Sequence, residues 1–203
     1  MTRGKFITLE GIDGAGKSTH LGSVERFLRE QGRDVTLTRE PGGTQLGEKL
    51  RELLLSQPMH AETETLLIFA ARQQHIAEVI EPALAAGRWV VSDRFTDATY
   101  AYQGAGRGLA AHRLAVLEQW VQGALRPDLT IVVDVPAELA ANRIASLRAD
   151  RFEKEDREFF GRVRRAYLER AAMEPKRVRV VDGSRPLFKV NEEVEEILKS
   201  ICY

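Results

Sequence analysis

Residues 11–18 read Gly-Ile-Asp-Gly-Ala-Gly-Lys-Ser: a glycine, four residues, then Gly-Lys-Ser. Glycines let a backbone turn tightly enough to aim successive N–H groups at one point. A helix that follows adds its unpaired N-terminal donors and a partial positive charge. Such a cradle suits the phosphates of a nucleoside triphosphate. Gly11, Ile12, Asp13, Gly14, Ala15 and Gly16 form its wall, Lys17 reaches the terminal phosphates, Ser18 offers a hydroxyl to magnesium, and Thr19 adds a first-turn hydroxyl. The flanks match: residues 5–10 (KFITLE) are a short β-rich run, and Leu21, Val24, Phe27 and Leu28 then mark one face of a helix ending near Gly32. A chance glycine turn would not need both.

A second pair lies far along the chain. Asp93 and Arg94 follow the apolar run WVVS at residues 89–92. Ligands of an open parallel sheet lie beyond the carboxyl ends of its strands, so both residues belong beside the cradle. Asp93 is then placed to hold magnesium directly or through water, and Arg94 to grip a second phosphate. A surface Asp-Arg pair is the plain alternative.

The elements that must position these groups alternate. Strands are expected at 5–10, 35–38, 89–92, 129–133 and 178–181. Helices are expected from Leu21 to Gly32, at 44–55 with Thr44 as cap, and over a long region 63–86 that Pro82 kinks or restarts. Others are expected at 110–121, 137–147, 159–172 and 187–198. About five strands with helices between them imply an α/β fold of three layers, a parallel sheet covered on both faces. The 203 residues suit one domain, with the charged stretch inside 143–158 as a surface excursion. Thirty basic residues offset thirty acidic ones, so net charge points to neither nucleic acid nor a membrane surface. A single cysteine, Cys202, excludes an intramolecular disulfide framework and a multi-cysteine metal site. No run is long and apolar enough to span a membrane, and a cytoplasmic protein is expected. The Asn-Lys-x-Asp pattern of guanine-reading switches does not occur.

Beyond the loop, TREPGGTQLGEKLRELLL, FAARQQH, SDRF, YQGAGRG, RPDLT and DRFEKE together make nearly the whole chain resemble the bacterial thymidylate kinases, P-loop enzymes that phosphorylate dTMP with ATP. The resemblance implies that Arg39 and Arg94 bind the acceptor phosphate with help from Arg51. It implies that Glu40 organises water or magnesium near the transferred group and that Pro41 walls the base. Asp13 is similar to an acidic position beside the acceptor sugar, its alternative being to stabilise loop N–H groups. Arg72 resembles the donor to a thymine carbonyl, Gln103 a second pyrimidine contact, and Tyr102 the group that disfavours a 2′-hydroxyl. Ile68 stands where relatives carry the base-stacking aromatic, so Phe69, one residue on, is expected to cover the base, with core packing as the alternative. Many relatives have Ser where this chain has Ala98, so one polar contact near the acceptor is either absent or supplied by Thr99.

The loop carries no arginine, so the resemblance assigns Arg148 and Arg151 to a lid over the phosphates and Arg143 to the adenine. It also implies a homodimer. Catalysis would rest on alignment and on the cations of Lys17, Arg94, the lid and magnesium, since the acceptor phosphate is already ionised. A kinase for another nucleoside monophosphate or a deoxynucleoside, and a non-enzymatic nucleotide switch, are the rival readings.

Overall fold

A computed structural model describes residues 2–144, 152 and 155–202. Five strands, β1 (Phe6–Glu10), β2 (Val35–Arg39), β3 (Trp89–Asp93), β4 (Leu129–Asp134) and β5 (Val178–Asp182), form one all-parallel sheet in the order β2-β3-β1-β4-β5. Every parallel neighbour needs a crossover, which the helices supply. These are α1 (Lys17–Glu30), α2 (Gln45–Ser56), α3 (Ala61–His75), α4 (Glu81–Ala85), α5 (Thr96–Thr99), α6 (Ala111–Gln122), α7 (Ala137–Ile144), α8 (Arg157–Met173) and α9 (Leu187–Cys202). Burial follows position. Central β1 is buried along its length, whereas the edge strands β2 and β5 are only partly buried.

Side-chain alternation along β1 sends successive residues to opposite faces. Ile7 and Leu9 join the main core with Val24, Leu28 and Val91, while Phe6 packs with Val90, Ile80 and Leu84. On the face of Phe6 the strand becomes polar toward its carboxyl end. Thr8 shares a 2.8 Å hydrogen bond with Thr130, and Glu10 is fully buried. That gradient delivers polar groups to the sheet edge where the loop begins.

Thr44 caps α2 by accepting from Gly47 N at 2.9 Å, as its position before the helix predicts. The long helical region runs from Ala61 through π-helical Ile76–Ile80 into α4, so Pro82 falls in the first turn after the wide π turn, where its missing N–H costs little. Sequence periodicity gave no element for residues 94–109. There α5 continues into a π-helical segment, Tyr100–Gly106. Among the described residues no helix is long and apolar enough to cross a membrane.

The α5 segment is tied down from below. Buried Asp97 accepts from Arg170 Nε and, at 2.7 Å, from Arg177 Nη1, and Arg177 also reaches Thr130 at 2.8 Å. Burial alone would raise the Asp97 carboxyl, but the two guanidiniums hold it below its usual value. Removing one member of such a cluster strands the others without solvent. Asp97→Ala is therefore expected to cost about 3–5 kcal/mol of unfolding free energy by urea denaturation.

Candidate active site

The glycine loop is seated by close backbone contact. Gly11 (φ 138) and Gly14 (φ 79) have positive φ. A Cβ on Gly14 would lie 2.4 Å from Ala140 O, and one on Gly11 2.5 Å from Val133 O. Only glycine lets the loop rest on α7 and the end of β4. Lys17 is buried and donates from Nζ to Gly11 O at 3.2 Å and Ile12 O at 3.1 Å. Burial and the nearby Arg94 push its pKa below the ordinary value. Ser18 and Thr19 are exposed on the first turn of α1. Arg143 braces the loop from outside, donating to Gly14 O and Ala15 O at 3.3 Å and to Gly183 O at 3.1 Å.

Arg94 lies below the loop at a backbone φ of 71, the left-handed region. Its Nη1 donates to Gly11 O at 3.1 Å and Tyr167 Oη at 3.3 Å. Its Nη2 donates to Asp13 Oδ1 and to Tyr102 Oη at 3.0 Å. Tyr102 in turn donates to Asp13 Oδ2 at 2.9 Å and accepts from Asp13 N at 3.1 Å. Tyr167 donates to Glu10 Oε2 at 2.9 Å, and Glu10 Oε1 accepts from Phe95 N at 2.7 Å. Glu10, Tyr167, Arg94, Tyr102 and Asp13 thus form one continuous polar chain.

Its electrostatics are uneven. Burial would raise the Asp13 carboxyl, but Arg94 and Lys17 hold it below its usual value. Burial raises both Tyr102 and Tyr167. Burial, reinforced by Asp97, pushes Glu10 up to about 8. Asp93 ends β3 beside this chain, and its Oδ1 is buried without a hydrogen-bond partner among the described residues. An orphaned carboxylate oxygen at the end of the strand paired with the one that leads into the phosphate cradle fits a hydrated magnesium.

Beside Arg94 opens a pocket with about 610 Å³ of empty space. Its lining includes Asp13, Arg94 and Tyr102, Pro41 and Arg51 with Leu54, and Ile68, Arg72, Thr99 and Gln103. Arg51 donates to Pro41 O at 3.0 Å. Arg72 is buried between the rings of Phe69 (4.9 Å) and Phe95 (5.0 Å). Its Nε donates to Glu40 Oε2 at 2.7 Å, and its Nη2 to Thr99 Oγ1 at 2.9 Å and Phe95 O at 3.2 Å. Nη1 is buried and has no partner among the described residues, so one donor remains for a ligand. Gln103 Nε2 donates to Glu64 Oε1 at 2.7 Å.

The structure gathers Asp13, Glu40, Pro41, Arg51, Arg72, Arg94, Thr99, Tyr102 and Gln103 around one pocket and adds detail to three expectations. Glu40 lines the pocket, but its carboxylate is committed to neighbouring side chains. It is buried, with Oε2 on Arg72 and Oε1 on His75 Nδ1 at 2.9 Å, while His75 Nε2 meets Thr38 Oγ1 at 2.6 Å. Burial would raise the Glu40 carboxyl, but Arg72 and His75 hold it low, so it aims Arg72. Phe69 does not line the pocket. Adjacent helical residues point about 100° apart, so Ile68 takes the wall and Phe69 backs the Arg72 guanidinium. Arg39 stands outside the pocket walls, paired with Glu48 at 2.8 Å. Arg148 and Arg151 lie outside the described residues.

Comparison with known proteins agrees with this geometry. A family model for thymidylate kinase matches residues 9–194. The chain is 61% identical over 202 residues to the thymidylate kinase of Cupriavidus necator, covering 98% of this chain and all of that one. To the Nitrosomonas europaea thymidylate kinase it is 62% identical over 202 residues, covering 98% and 94%. A crystal structure of the Ehrlichia chaffeensis thymidylate kinase aligns with a TM-score of 0.82 at 34% identity, covering 97% of this chain and 99% of that one. The chain belongs to the thymidylate kinase family.

Within this thymidylate kinase fold, sequence reasoning passed over Glu10, Glu64, His75, Phe152 and Tyr167. Glu10 carried a signal, a carboxylate closing an apolar strand directly before the loop. Phe152 carried another, an aromatic within a charged stretch, and it lines the pocket. The raised Glu10 has a thermodynamic consequence. Its unfolded-state pKa is near 4.5 and its folded one near 8, so between those values the folded state binds more proton and stability falls as pH rises. The slope from this group is at most about 1.4 kcal/mol per pH unit. Denaturant titrations from pH 5 to 9 should show that fall, and Glu10→Gln should flatten it.

Proposed function

We propose that the glycine loop seats ATP and the adjoining pocket seats dTMP, in the phosphorylation of dTMP to dTDP that defines the family. The observation that carries this reading is Arg94, held between Asp13 of the loop and the wall of the pocket. In the reaction an oxygen of the dTMP phosphate attacks the terminal phosphorus of ATP in line with the departing ADP. Lys17 and Arg94 supply cationic donors where charge accumulates, with Arg51 on the acceptor side and Arg39 close by. Fixed donors need no reorganisation during transfer, which is the larger part of their effect. Magnesium, when bound, neutralises and orients the donor phosphates, and Ser18 and Asp93 would hold it. Asp13 keeps Arg94 aimed and faces the acceptor sugar, and Tyr102 fills the space a 2′-hydroxyl would need.

Arg72 offers its remaining donor to a thymine carbonyl, and Ile68, in place of an aromatic, packs against the base. Arg143, on the outer side of the loop, borders the nucleotide base of the donor. We further propose a cytoplasmic homodimer. Exposed Leu66 on α3 and Val116 and Trp120 on the adjoining α6 support it, with Trp120 exposing 82% of its surface. Trp120→Asp should convert the dimer to monomer in sedimentation velocity.

The reading is tested at Arg94. Arg94→Ala should lower kcat with dTMP about a hundredfold, the scale of one lost transition-state donor, while ATP binding measured by titration changes little. Unchanged turnover would remove Arg94 from the reaction. Replacing Tyr102 by leucine should narrow the preference for dTMP over its ribonucleotide in kcat/KM.

A further inference from the structure

Gln103 and Arg72 line the same pocket. Thr99, which accepts from Arg72, stands four residues before Gln103 on the same helical segment. An amide has a donor end and an acceptor end of nearly equal size, and which one faces a ligand depends on its neighbours. Here the neighbour is Glu64 of α3, fully buried, whose Oε1 accepts from Gln103 Nε2 at 2.7 Å. The same oxygen lies 3.6 Å from Arg107 Nε, and Arg107 is anchored in turn on Glu155 at 2.6 Å. Glu64 is the acceptor of that bond, so the opposite amide orientation would set the amide oxygen against a carboxylate oxygen. Gln103 Oε1 meets no donor among the described residues and is the amide atom left to the pocket.

We propose that Glu64 is a specificity-determining positioning residue. By accepting only, it holds the Gln103 amide with its oxygen toward the base. The pocket then presents a donor, Arg72 Nη1, next to an acceptor, Gln103 Oε1. That pair complements a pyrimidine edge carrying O4 and N3–H. Cytosine offers an amino group and a bare N3 at those positions, so each contact becomes like against like, and buried polar groups left unpaired give strong rejection. A freely rotating Gln103 would flip to suit either base. The inference rests on the reading that the dTMP base lies against Arg72 and Gln103.

The experiment measures kcat and KM for dTMP and dCMP in the wild type, Glu64→Gln, Gln103→Leu and the double variant, each checked for cooperative melting. A glutamine at 64 can donate or accept and so releases the flip. It should raise KM for dTMP about tenfold with little change in kcat, and shrink the dTMP-to-dCMP ratio of kcat/KM by about tenfold or more. In the Gln103→Leu background it should change the ratio no further. If the glutamine variant does not fold, Glu64→Met, similar in length and unable to bond the amide, carries the same expectation. A folded Glu64 variant with an unaltered ratio, while Gln103→Leu narrows it, overturns the proposal. If Gln103→Leu itself leaves the ratio intact, the base does not lie against Gln103, and the placement of dTMP fails first.

Discussion

A left-handed backbone at a residue other than glycine costs on the order of 1–3 kcal/mol and persists only where the surroundings impose it. Arg94 is such a residue, and its surroundings are explicit: its backbone N donates to Leu9 O at 3.0 Å, and its guanidinium is bonded to Gly11 O, Asp13, Tyr102 and Tyr167. These five neighbours come from β1 with the glycine loop that follows it, from the π-helical segment and from α8, three regions separated by tens of residues. The sheet order places β1 next to β3, which brings the loop after one to the arginine after the other. The position of the guanidinium is therefore a property of the whole fold.

The charges around it are balanced in a way that keeps it fixed. A buried guanidinium without a partner would be costly, and a buried carboxylate equally so. Asp13 and Arg94 offset one another, and their shared contact with Tyr102 leaves few alternative rotamers. The pocket repeats the device one step further from the loop. Glu40 lies between Arg72 and His75, two ring faces enclose the guanidinium, and its Nη1 is left unpaired. In both places a carboxylate spends its acceptors on aiming a cation, which preorganises the site before any ligand arrives.

What the sequence shows of this is the part written in short-range pattern. The loop is legible because glycine spacing, lysine and serine are contiguous, and the strands because three of them are nearly unbroken apolar runs. The helix bearing Thr99, Tyr102 and Gln103 is not legible. It buries polar residues alongside apolar ones, its turns are partly π-helical, and glycines close it, so no 3.6-residue apolar stripe survives. The resemblance to thymidylate kinases supplied those residues where periodicity could not. The partners of the aiming carboxylates were beyond both. Glu10 meets Tyr167 across 157 positions, and Glu40 meets His75 across 35, distances over which one chain carries no pairing signal. Phe69 failed for a more local reason, one step around a helix.

The most direct measurement is a crystal structure with dTMP and an unreactive ATP analogue bound together with magnesium. The dTMP phosphate is expected within hydrogen-bonding distance of Arg94, the base over Ile68 with Arg72 Nη1 on a ring carbonyl, and the analogue's phosphates inside the 11–18 loop. A dTMP phosphate seated away from Arg94, with Arg94 still bound to Asp13 and Tyr102, would contradict it.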